Sequence, residues 1–247
     1  MTKVDQRSGE GVGGNRRISV VVPAYDEALV IGDLVRTVAP ALPEGSELVV
    51  VDDGSTDATP KVLAELAREV GCLRVVTHDR NRGIGAALAT GFRTAGGDVV
   101  VTMDADLTHP VDLMVRLAEG CRTADAVYGS RYVPGGAMEG VPGWRVVVSR
   151  FANAVMRAVF RTSVHDLTTG MRAFRREVVR DLRLDATGFE AQLEITVRLI
   201  AAGRRIDEVP MVLRNRSVGE SKMRYLRLAP RYARTFVRML EVRWRAP

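Results

Sequence analysis

Four valine-rich runs constrain this chain more than anything else in it: RISVVVPAY, SELVVVDDGS, CLRVVTHD and GDVVVTMDAD. None alternates apolar with polar residues. A strand of that kind is buried on both faces, as in a parallel sheet covered by helices. Between the runs lie DEALVIGDLVRTVAPAL, DATPKVLAELAREV and NRGIGAALATGFRTA, which have helical spacing. In the second of these, Asp57 or Thr59 is placed to cap the helix and Pro60 falls in its first turn. A β-α-β-α-β-α-β order predicts an α/β fold with a mostly parallel central sheet flanked by helices. Open sheets of this type bind ligands beyond the carboxyl ends of their strands. Three of the four runs end there in acids: Tyr25-Asp26-Glu27, Asp52-Asp53 and Asp104-Ala105-Asp106.

After Pro110 the pattern changes. VDLMVRLAEGC predicts a helix, ADAVYGSRYV a strand, PGGAMEGVPG a mobile glycine- and proline-rich loop, and WRVVVSRFANAVMRAVFR an apolar helix punctuated by arginines. AQLEITVRLIAAG reads as a helix, RIDEVPMVL as a strand, and RNRSVGESKMR as a charged loop. A basic helix follows, kinked or begun near Pro230. The polar, glycine-rich residues 1–15 read as a disordered tail, residues 16–222 as one domain, and 223–247 as an amphipathic helix. The apolar share of 46% supports a core without staples, so Cys72 and Cys121 are expected to be reduced thiols, as in a cytosolic protein. No apolar run approaches the ~20 residues that span a bilayer.

Asp104 and Asp106 stand at i and i+2, and on an extended segment both would face the same side. Two carboxylates so close repel unless a cation joins them or one is protonated. Magnesium typically takes one or two carboxylates together with substrate phosphates. The alternative is a pair of solvated turn acids capping the next helix. The two other acidic strand ends nearby favour a metal–diphosphate site. The net charge of +6 suits nucleic acid, an anionic membrane or phosphorylated substrates. Aromatics make up only 5% and no nucleic-acid-binding module is visible, so nucleic acid is not an expected partner.

VVPAYDE, VVVDDGSTD, NRGIGAAL and MDADLTHP, in this order, resemble an inverting family-2 glycosyltransferase of the GT-A fold. GSRYVPGG, WRVVVSRFAN, HDLTTGMRAFRR and NRSVGESK make the chain similar to the polyprenyl-phosphate (dolichol-phosphate) mannose synthase branch. The resemblance implies that Pro23, Tyr25, Glu27, Val51 and Asp53 hold the nucleoside of a sugar nucleotide. It makes Asp104, Ala105 and Asp106 the donor-diphosphate and metal motif, for Mg²⁺ or Mn²⁺. The family often has a glutamine ligand where this chain has Thr108, so the resemblance makes Thr108 the third candidate metal ligand, directly or through a water, with a hydroxyl of shorter reach. His109 beside it is expected to be structural. Arg131, Arg145 and Ser149 correspond to residues that grip an acceptor phosphate, and Arg216 and Lys222 to a loop that closes over the donor. Asp166, Thr169 and Arg172 look like a turn and helix start beside the sugar. Gln192 or Glu194, near Glu190, is placed to meet sugar hydroxyls or, equally, to cap and pair.

The implied reaction passes mannose from GDP-mannose to a polyprenyl phosphate, with Asp104, Asp106 and Arg131 at its centre. A UDP-sugar donor or a specialised-metabolite acceptor is the alternative. The lipid acceptor implies work at the cytoplasmic face of a membrane, docked peripherally or through a separate membrane subunit. WRVVVSRFANAVMRAVFR and the terminal basic helix are the candidate docking segments. The same stripe on the terminal helix, Tyr225, Leu228, Tyr232, Phe236 and Leu240, would equally pack on the body of the protein.

Overall fold

A computed structural model describes residues 16–214 and 225–245. The expected tail and the two loop cations, Arg216 and Lys222, lie outside the described residues. The first half follows the valine runs: β1 (Ile18–Ala24), α1 (Ile31–Val38), β2 (Glu47–Asp52), α2 (Thr59–Glu69), β3 (Leu73–Thr77), α3 (Ile84–Thr94) and β4 (Val99–Thr102). The second half supplies α4 (Leu113–Gly120), β5 (Ala126–Ser130), β6 (Ala137–Glu139), α5 (Gly143–Phe160), β7 (Arg172–Arg175), α6 (Arg176–Val179), α7 (Ala191–Ala201), β8 (Ile206–Pro210), β9 (Val212–Arg214) and α8 (Tyr225–Arg245).

Seven strands form one sheet in the order β3-β2-β1-β4-β7-β5-β8. All neighbours are parallel except β7, which runs antiparallel to both β4 and β5. The strand period of two sends alternate valines to opposite faces. Val20, Val22, Val50 and Val101 join α1, α2 and α4 in one core layer, while Val21, Val49, Val51 and Val100 join α3 and α7 in the other. Met156 and Phe160 of α5 and Met239 of α8 close that second layer, with Phe236 and Leu240 packed against it. Part of the α8 stripe therefore packs on the body of the protein. No helix among the described residues is long and apolar enough to cross a membrane.

Four local expectations are corrected. β4 stops at Thr102, so Asp104 and Asp106 lie on a turn rather than on an extended segment. Arg172 is the first residue of a strand, not part of a turn and helix start, because β7 fills the gap between β4 and β5. The glycine-rich loop contains β6, which pairs with β9 as a second, two-stranded sheet. RIDEVPMVL is split between the two sheets: Met211 donates its N–H to Ser130 O and accepts from Ala137 N. Pro210, which has no N–H to continue a ladder, marks the switch.

Candidate active site

The first part of the candidate site is built by the β1–α1 and β2–α2 loops, which are laced together. Asp26 takes φ 50°, a left-handed conformation that aspartate tolerates. Its Oδ1 accepts from the N–H of Thr56 at 2.8 Å and of Asp57 at 3.3 Å, while its own N–H donates to Ser55 Oγ. Glu27 N donates to Thr59 Oγ1, and Asp57 Oδ1 accepts from Thr59 N at 2.8 Å in a turn leading into α2, whose N-cap position is Ala58 rather than Asp57 or Thr59. Pro23 and Val51 are partners in register on β1 and β2, directly below these loops. Tyr25 and Glu27 flank Asp26 on the first loop.

Asp53 sits deeper. Its carboxylate accepts from His78 Nδ1 at 2.6 Å and from the N–H of Arg82 and Gly83 at 3.0 and 2.7 Å. His78 in turn reaches Thr90 Oγ1 through Nε2. Asp53 thus fixes the turn that feeds α3. A nucleoside contact would have to share its oxygens. Gly83, at φ 90°, lies where a Cβ would stand 2.2 Å from Thr187 O, so the turn is pressed against the segment before α7.

The acidic turn follows β4 directly. Thr102 Oγ1 donates to Gly170 O, which brings Gly170 against Asp104; a Cβ there would lie 3.0 Å from both carboxylate oxygens. Asp104 N donates to His109 Nδ1 at 3.2 Å. That leaves the proton on Nε2, 3.8 Å from Asp104 Oδ2. Buried His109 therefore braces Asp104 from behind. Ala105 is buried between the two acids, and Leu107 takes φ 56° to make the turn. Thr108 donates both its N–H and its hydroxyl to Asp106 Oδ1, at 3.1 and 2.7 Å. In this arrangement Thr108 orients Asp106.

A divalent ion fits this turn only as a shared guest. Asp104 and Asp106 offer hard oxygen donors, and the Asp104 side chain is 35% exposed. No cluster of three or more His, Cys, Asp or Glu able to hold a metal occurs among the described residues. The donor set suits magnesium or manganese completed by substrate phosphates, not an all-protein cage.

A second group centres on Tyr132, whose ring lies 5.1 Å from the Arg131 guanidinium and 5.9 Å from that of Arg150. Arg131 leaves β5 and clasps Asp166 through Nε at 2.7 Å and Nη2 at 2.6 Å, and its backbone N–H adds a third bond. Asp166 is fully buried, and the Arg131 side chain is 14% exposed. Burial alone would lower the Arg131 pKa. The hydrogen bonds and charge of Asp166 outweigh it, and the net shift is upward. Tyr132 Oη and Ser149 Oγ are 2.6 Å apart. Asn153, one turn after Ser149 on α5, donates to Ser149 O and to Thr168 Oγ1, and Arg131 Nη2 also reaches Thr168. Arg131 and Ser149 are thus joined in one network. Arg145 stacks near the Trp144 ring at 5.3 Å, on the same helix. The sequence reading missed Tyr132, Asn153 and Thr168. The i, i+4 spacing of Ser149 and Asn153 was the available signal.

Behind both halves lies Arg172, fully buried. It donates to Leu167 O and Gln192 O and lies 4.4 Å from the Tyr128 ring centroid. Burial lowers its pKa. Gln192 keeps one buried oxygen, Oε1, without a partner, as do Thr169 at Oγ1 and Glu190 at Oε2. Glu194 differs: it is fully committed to the N–H groups of Asp185 and Ala186 and to Arg198 and Arg238. Of the pair proposed for sugar hydroxyls, Gln192 is the one with capacity left.

A family model described as glycosyl transferase family 2 matches residues 19–183. The chain is 37% identical over 213 residues to an undecaprenyl-phosphate mannosyltransferase of Micrococcus luteus, covering 84% of this chain and 87% of that one. It is 36% identical over 230 residues to a polyprenol monophosphomannose synthase of Mycolicibacterium smegmatis, covering 89% and 86%. Among solved structures it resembles glucosyl-3-phosphoglycerate synthase from Mycobacterium tuberculosis in complex with Mn²⁺, UDP and phosphoglyceric acid. That likeness has a TM-score of 0.69 and 25% identity, over 94% of this chain and 80% of the other.

Proposed function

The chain belongs to glycosyl transferase family 2, and from that premise we propose that it moves mannose from GDP-mannose to a polyprenyl phosphate, inverting the anomeric centre. The observation that carries this reading is the Asp166–Arg131 clasp. Hydroxyl acceptors call for a carboxylate base, yet Asp166, next to Arg131 of the proposed acceptor grip, is spent on that arginine. A phosphate monoester needs no base, because its second pKa of ~6 leaves it mostly dianionic at neutral pH.

In this reading Pro23, Tyr25, Glu27 and Val51 bound the nucleoside, with Asp53 holding the wall behind them. Asp104 and Asp106 would hold Mg²⁺ or Mn²⁺ together with substrate phosphates, and Thr108 fixes Asp106. The ion would supply Lewis-acid charge to the departing diphosphate. Arg216 and Lys222 add counter-charge. Arg131, Arg145 and Ser149 draw in the acceptor phosphate, offsetting its repulsion from an anionic donor. A single in-line displacement on an α-linked donor yields a β-linked product. The enzyme works peripherally at the cytoplasmic face of a membrane.

The structural neighbour holding UDP favours one competitor, a UDP-sugar donor. Purified protein with Mn²⁺, polyprenyl phosphate and a panel of labelled GDP- and UDP-sugars separates the two. Labelled lipid from GDP-mannose alone is the expected result. Labelled lipid from a UDP-sugar would replace the donor, and free sugar without labelled lipid would reject the acceptor. Turnover surviving excess chelator would reject the metal.

A further inference from the structure

β8 places an acid at an inward position. Ile206 packs against the core layer that holds α3 and α7, and Val209 against the opposite layer, so the strand period of two turns Glu208 to the side of Ile206. The Glu208 side chain is 8% exposed. A carboxylate taken out of water is costly unless hydrogen bonds replace its hydration. Those of Glu208 all come from two consecutive residues. Oε2 accepts from His165 N at 2.8 Å and from His165 Nδ1 at 2.9 Å, and Oε1 accepts from Asp166 N at 3.0 Å. An apolar side chain would sit there without the cost, but it would leave both backbone N–H groups unmet.

The segment so held has neither helix nor strand between α5 and β7. Backbone groups in such a segment must find partners outside a ladder. Leu167 N goes to Asn153 Oδ1 of α5, and the two N–H groups before it go to Glu208 of β8. Asp166 is therefore slung between a helix amide and a strand acid. Its carboxylate in turn occupies Nε and Nη2 of Arg131. Nη1 meets no oxygen among the described residues; its hydrogen-bond partner is the Met138 sulfur, at 4.0 Å. Sulfur is a weak acceptor, so Nη1 is the edge of Arg131 with capacity for an anion.

We infer that Glu208 is a positioning residue for the acceptor phosphate: it fixes the 165–166 backbone, which aims Asp166, which sets where the Nη1 edge of Arg131 faces. The inference rests on the acceptor reading of Arg131 for what that edge meets, not for how the edge is held. A misplacement of about 1 Å far from the chemistry can cost about 100-fold in rate, so a remote acid has leverage here. The leverage is one-sided. None of the Glu208 hydrogen bonds goes to the β1–α1 or β2–α2 loops.

Glu208→Gln tests it, because an amide has one accepting oxygen and turns an NH₂ toward at least one of the donors. The first readout is the Arg131 Nε–H resonance of the ¹⁵N-labelled full chain, assigned with Arg131→Lys. It is expected to shift or broaden in Glu208→Gln. The second is kinetic. KM for a short, water-soluble polyprenyl phosphate should rise at least about tenfold, with KM for the nucleotide sugar within about twofold. His165→Ala removes only the ring bond and should leave the resonance and both constants within about twofold of the wild type. Thermal unfolding is recorded for each variant. Glu208→Asp, which draws both acceptors back by one methylene, supplies the measurement if the amide does not fold. An unmoved resonance in the folded variant overturns the inference. So do equal rises in both constants, and so does a His165→Ala effect as large as that of Glu208→Gln. The resonance needs no turnover, so it decides the positioning even if the proposed reaction fails. A moved resonance with an unchanged acceptor constant strikes the acceptor reading of Arg131 and leaves Glu208 as the group that sets the clasp.

Discussion

Asp106 is held by two donations from Thr108, and neither requires that it carry a charge. Asp106→Asn therefore keeps the turn while removing the anion that a divalent ion would need. Turnover is expected to fall at least about 100-fold, as loss of several kcal/mol of charge stabilisation implies, with an unchanged melting temperature. A variant that turns over at the wild-type rate would remove Asp106 from the mechanism. Asp166 behaves oppositely. Asp166→Ala leaves Arg131 buried without its partner, at a cost of about 3–5 kcal/mol. In a domain of this size that lowers the melting temperature by roughly 6–20 °C, readable by calorimetry. At this scale the sequence disclosed residue types and short spacings, which is why the acids after the fourth valine run stand out. It hid their commitments. Arg131 meets Asp166 across 35 residues, and Asp53 meets His78 across 25, pairings that depend on how strands are ordered in the sheet.

The elements that were legible are those with a strong local pattern: four valine runs, and helices with one apolar face. β7 was not legible, because its four residues, RAFR, begin and end in arginine and follow a turn-like TTG. What makes it a strand is non-local. It completes the sheet between β4 and β5, and its buried Arg172 is held by Leu167 O, Gln192 O and the Tyr128 ring, with Nε left without a partner. That environment yields a pH prediction. Burial already lowers the Arg172 pKa, so in Arg172→Lys the same surroundings should depress the ammonium pKa below its unfolded value. The native state would then bind fewer protons than the unfolded state, and stability would rise with pH toward the ordinary lysine pKa of ~10.4. The variant should be about 2 kcal/mol less stable at pH 7, having lost a charged hydrogen bond, and should recover part of that by pH 9. Urea unfolding at the two pH values measures it. A flat or falling profile relative to the wild type would show that the site keeps its charge at no cost.

Taken whole, the proposed donor and acceptor ends share one sheet, and α8 reaches the segment before α7 through Arg238, which pairs with both Glu194 and Asp185. Glu194 on α7 accepts from the N–H groups of Asp185 and Ala186, pairs with Arg198, and takes Arg238 of α8 at 3.0 Å. The segment so anchored continues to Thr187, whose carbonyl receives Gly85 N at 3.0 Å and presses on Gly83, the residue that Asp53 holds. A chain of contacts thus runs from α8 to the wall of the proposed nucleoside site, although the family match ends at residue 183. No sequence pattern announced this: the sequence left Glu194 between sugar hydroxyls and capping or pairing, and gave no sign of a partner on α8. Glu194→Gln and Arg238→Gln, singly and together, should show a coupling of about 0.5–3 kcal/mol in unfolding, as neighbours in one network do. The kinetic consequence is directional. Loosening the 185–187 segment should raise KM for the nucleotide sugar several-fold and leave KM for the lipid phosphate unchanged, because the Arg131–Asp166 clasp lies outside the chain of contacts. Equal changes in both constants would mean that the variants soften the whole domain and that α8 has no selective hold on the donor side.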